Sequence, residues 1–153
     1  MITYKANVAC SATDTPFRTL QSYYERGIIK PQPCDVAANG SGQNRGYSLR
    51  RLYQIAITTK LVSLGISASR AAEAAFMFSD RGNQGREVGE PYPLGRTFLV
   101  GQKRSFYHVI CVDPDQSLDD VLPKDGAVFV IDCGKLAANV KSKLGINEKH
   151  NES

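Results

Sequence analysis

The sequence predicts an α+β protein, with helices in its first half and strands in its second. Three observations carry that expectation. Apolar residues recur at helical spacing through roughly the first eighty positions. Short runs rich in β-branched and aromatic residues occupy the later half. Two stretches dense in glycine, proline and polar residues, 32–46 and 79–95, interrupt the pattern.

The elements follow in order. Pro16 suits the first turn of a helix, where its missing N–H costs nothing, and Thr15 or Asp14 can cap it. Phe17, Leu20 and Tyr24 recur at three- and four-residue steps and predict one buried face. Gly27 ends that helix, and Ile28-Ile29-Lys30-Pro31 reads as an extended exit. Residues 32–46 have the composition of a hairpin tip. Ser48 is a good N-cap for a helix striped with Leu49, Leu52, Ile55, Ala56, Thr59 and Val62, which Gly65 stops. Ser67 opens another helix, with Ala71, Ala72, Ala75, Phe76 and Phe78 for its buried side. Residues 97–100, 106–112 and 127–132 read as strands, and Leu136, Ala137, Val140 and Leu144 as a closing amphipathic helix. The expected organisation is a domain over 1–78, a linker over 79–95, a small β-α domain over 96–146 and a polar tail over 147–153.

Composition narrows the function classes. Hydrophobic residues make up 42% of the 153 and charged residues 22%, which fits a globular chain and excludes a disordered one. No run approaches the roughly 18 apolar residues of a membrane span, and the first residues lack a signal-peptide pattern, so a cytoplasmic, nucleoid-associated protein with no membrane partner is expected. Cys10, Cys34, Cys111 and Cys133 form no C-x-x-C pair and are expected to be reduced. His108, Cys111, Asp113 and Cys133 make a poor metal set, because positions 108 and 111 of one strand point to opposite faces. No metal, cofactor or enzymatic role is expected. The net charge of +4 is unevenly spread: residues 1–80 carry nine Lys/Arg against five Asp/Glu, while the remainder balances at ten each. A local basic surplus suits a surface that meets phosphates.

Helix, tight turn, helix, glycine-rich hairpin, helix, helix is the order of a winged helix-turn-helix. Within it stand Arg18-Thr19-Leu20, then Gly27-Ile28-Ile29 with Pro31, then Arg45-Gly46-Tyr47-Ser48, then Leu64-Gly65-Ile66-Ser67. In these motifs and their spacing, residues 2–78 resemble the MerR-type DNA-binding domain. The resemblance implies a recognition helix in the major groove and a wing on the backbone. A recognition helix must offer short polar or cationic side chains near its start, as Pro16, Arg18, Thr19, Gln21 and Ser22 do. Asn44 and Arg45 would serve the wing, Tyr47 could point its hydroxyl at a phosphate, and Arg50 and Arg51 could widen the phosphate footprint. The expected partner is double-stranded DNA, and the expected role a bacterial or phage transcriptional regulator that also meets RNA polymerase or another regulator. An excisionase-like or architectural factor is the alternative, as is ligand sensing or protein interaction by the C-terminal part.

The sequence departs from the family after Phe78, where no dimerising heptad repeat follows. Self-association is therefore assigned to the C-terminal segment, through Tyr107, Val109, Ile110, Val128, Val130, Leu136 and Val140. Strands so apolar need cover on both faces, and a second copy would supply it.

Overall fold

A computed structural model describes residues 2–33, 35, 45–102, 106–123 and 127–146, and these form a mixed helix-and-sheet fold. The chain opens with a short strand, β1 (Thr3–Tyr4), and helix α1 (Ala6–Thr13). Asp14 closes α1 in the left-handed conformation, at φ 52°, with its N–H on the Cys10 carbonyl. A short polar side chain tolerates that region better than most. Helix α2 (Phe17–Glu25) follows at once, with Pro16 as its N-cap and no side-chain capping bond. Thr15 does not cap it: its hydroxyl is buried against that of Thr59, 2.8 Å away. Gly27, at φ 65°, lets the chain leave the helix as expected.

Strand β2 (Tyr47–Ser48) pairs antiparallel with β1, placing Thr3 opposite Ser48 and Tyr4 opposite Tyr47. Helix α3 (Leu49–Ser63) begins there, and the Ser48 hydroxyl accepts the Arg51 N–H at 3.3 Å, the cap read from the sequence. Helix α4 (Ala68–Ser79) packs on α3 and against the later strands, and its buried Ala71, Ala72, Ala74 and Ala75 are small enough to permit close approach. Phe78 meets Tyr53 with ring centroids 5.7 Å apart.

The stretch after α4 is well organised where a free linker was expected. Arg86 is buried, and its guanidinium donates to the carbonyls of Phe78, Glu87, Glu90, Met77 and Arg81 at 2.6–3.2 Å. A segment without ladder partners leaves carbonyls unsatisfied, and the five-donor fork of arginine gathers them.

Strands β3 (Arg96–Gln102), β4 (Phe106–Val112) and β5 (Phe129–Asp132) form an antiparallel sheet in the order β4-β3-β5. Phe98 stands opposite both Ile110 and Asp132. Helix α5 (Cys133–Lys143) starts directly from β5, and the Asp132 carboxylate accepts the Lys135 N–H. Leu99, Val109, Cys133, Ala137 and Val140 enter the same buried cluster as Leu20, Ile29, Leu52, Ile55, Leu61 and Phe78. The sheet and α5 thus share one core with the N-terminal helices.

The other face of the sheet buries Phe98, Val100 and Val112, and Leu118, Val121 and Leu122 of the β4–β5 connection fold onto it. Where a second copy was expected to lie, the chain's own connection covers part of this face, and Ile110, Val128 and Val130 stay partly buried there. Among the described residues no helix is long and apolar enough to cross a membrane.

Candidate nucleic-acid interface

The site begins with how α2 is held. Leu20 and Tyr23 are its buried residues, and the Tyr23 hydroxyl reaches that of Thr59 at 3.1 Å. Thr15 and Tyr23 therefore fasten the two ends of this segment to one position on α3. Of the expected inner face, Leu20 is buried and Tyr24 packs against the same core, whereas the placing of Phe17 is corrected. Phe17 is 59% exposed, and Tyr24 is only half-buried. The inward arc of α2 centres on Leu20 and Tyr23, which leaves Phe17, at the start of the helix, on its margin.

The outward positions match the sequence reading more closely. Pro16, Arg18 and Gln21 are exposed, with Thr19 and Ser22 half-buried beside them. Phe17 is exposed among them, although apolar periodicity had placed it inside.

Arg45 stands against the end of α2, its guanidinium carbon 3.9 Å from the centre of the Tyr24 ring. Tyr24 in turn meets Tyr47 edge-on, with centroids 5.7 Å apart. Burial pushes the Tyr24 hydroxyl above its ordinary range, although the charges of Arg51 and Arg45 oppose it, and burial raises that of Tyr47 too. Both phenols are therefore neutral near pH 7 and remain hydrogen-bond donors. A ring holds the Arg45 side chain in place without neutralising its charge, and its Nη1 is shielded with no hydrogen-bond acceptor among the described residues. Tyr47 is buried with its ring against that of Tyr24, which does not favour the phosphate-contacting role expected of its hydroxyl. Asn44 lies outside the described residues.

The two arginines opening α3 part company. Arg50 is exposed, and its stem lies close to Gly89. Arg51, expected to meet phosphate, is fully buried, which corrects that assignment. Its Nε bonds Asp35 at 2.9 Å, and its Nη1 and Nη2 bond the Asp80 carboxylate, each at 2.9 Å. Gln54 accepts a further bond from Nη1. Desolvation alone would raise the Asp35 carboxyl. The Ser48 hydroxyl, the Gln32 N–H and the Arg51 charge outweigh it and hold that carboxyl below its usual range. Arg51 therefore ties the base of the 32–46 stretch to the end of α4.

The residues expected to join two copies are divided. Val109 and Val140 are buried in the shared core, which corrects their assignment to a surface that joins two copies, while Tyr107 and Leu136 are partly buried at its edge. Ile110, Val128 and Val130 lie on the other face, partly buried beside Leu118, Val121 and Leu122. Of the thiols, Cys133 is buried and pushed up to about 12 by desolvation, the small apolar role expected of it. Among the described residues no cluster of three His, Cys, Asp or Glu side chains is placed to hold a metal ion.

A comparison of the chain with protein-family models and a comparison with curated proteins both find no match.

Proposed function

We propose that this chain is a winged helix-turn-helix protein of MerR-like type that binds double-stranded DNA, with α2 in the major groove and Arg45 on the backbone. The observation that carries the reading is the outward face of α2. A helix fastened from behind by Leu20, Tyr23 and Thr15 turns Phe17, Arg18 and Gln21 to solvent at its N-terminal end. That is the part of a helix that reaches base edges. The β1–β2 pairing anchors the returning strand of the wing. Arg45, stacked on Tyr24 at the end of α2, makes no ion pair among the described residues, and its charge would serve a passing phosphate.

The role that fits these parts is sequence-specific regulation of transcription. The test is titration of the intact chain against a fluorescent random-sequence duplex at several salt concentrations. Backbone contacts would make log affinity fall linearly with log salt. No binding at 50 mM salt would refute the proposal.

A further inference from the structure

The outward face of α2 contains one side chain that phosphate contacts and polar base contacts leave without a task. Phe17 opens the helix and stands 59% exposed, whereas Leu20 and Tyr23 are buried. A single exposed ring carries little information on most surfaces. Its neighbours give this one meaning. Gln21 lies one turn further on and is exposed, and Arg18 beside it is exposed as well. Residues four apart on a helix hold their Cβ atoms about 5–6 Å apart, and successive bases are spaced about 3.4 Å along the duplex axis. Phe17 and Gln21 therefore span one to two base-pair steps.

The chemistry of the major groove then selects the bases. Thymine alone offers an apolar group there, its C5-methyl, which a phenyl ring can cover. Glutamine is matched to adenine, donating to N7 and accepting from N6. We infer that Phe17 reads a thymine methyl group next to an adenine held by Gln21, so that the target holds A·T pairs at two positions within two steps. The inference rests on the DNA-binding reading of α2 and adds to it the identity of the bases.

Replacing thymine by uracil removes the methyl group and nothing else. A duplex enriched from a random library by the intact chain would be remade with each thymine changed to uracil in turn. At one position uracil is expected to weaken the wild-type chain about 4-fold, the worth of one buried methyl group. Phe17→Ala should bind the thymine and uracil duplexes equally at that position, while Phe17→Leu should keep part of the preference. Because Phe17 lies outside the core, both variants should keep the wild-type circular dichroism spectrum. Enrichment of a duplex with no uracil-sensitive position would overturn the inference and leave DNA binding standing. So would an unchanged uracil profile in Phe17→Ala, the result expected if the ring instead docks a protein. Failure to enrich any duplex would remove the DNA-binding reading and this inference together.

Discussion

Two arginines at the mouth of the same region show why charge alone does not assign a role. Arg45 and Arg51 are both cations near the wing in sequence, but one stacks on Tyr24 and the other is sealed between Asp35 and Asp80. Sequence periodicity places Arg51 at the start of a helix and cannot show that carboxylates 16 positions before and 29 after converge on it. Phe17 is the converse case, an apolar residue in helical phase that the turn leaves outside. These differences set distinct expectations. Arg45→Ala should weaken binding to every duplex and reduce the slope of log affinity against log salt by about 1, the counterion share of one phosphate contact. Anisotropy titrations at several salt concentrations would measure it, and an unchanged slope would remove Arg45 from the backbone. The Asp35 carboxyl, held low when folded, stabilises the fold fully above the unfolded value near 3.9 and loses that contribution as pH falls from there through its lower folded value. Denaturation midpoints between pH 6 and 3 should fall further for the wild type than for Asp35→Asn. Parallel curves would mean that Asp35 does not link folding to pH.

At the scale of elements, the sequence was most legible where one local signal was sufficient. The Ser48 cap, the Gly65 stop and the three strands stand where capping chemistry, a helix-stopping glycine and runs of β-branched and aromatic residues put them. It was least legible between α4 and β3, where glycine, proline and charge suggested a linker. Much of the order there comes from side chains acting on backbone groups, Arg86 foremost with Asn83 and Thr97 beside it, and backbone carbonyls and N–H groups leave no trace in composition. Arg86→Ala would strand those carbonyls in a partly dry environment, so it should cost about 3 kcal/mol of unfolding free energy. Urea denaturation of the variant would measure this, and a loss below about 0.5 kcal/mol would show that water replaces the guanidinium without penalty.

At the scale of the molecule, the shared core changes how the halves are to be understood. Val109, Val140 and Ala137 were legible as apolar positions, but not as members of a cluster with Leu20 and Phe78, because long-range packing has no sequence period. Cutting the chain near Asp80 would strip α1 and α3 of the side chains of α5, so loss of DNA affinity in such a fragment would report lost folding as readily as lost pairing of copies. Recognition by α2 is better tested in the intact chain. Selection from a random duplex library, followed by titration of wild type, Arg18→Ala and Gln21→Ala on the selected and on scrambled DNA, addresses it directly. If α2 reads bases, one motif emerges, and each variant loses about 1–3 kcal/mol on the selected duplex with little change on the scrambled one. The absence of any motif, or equal losses on both duplexes, would contradict a recognition helix at α2.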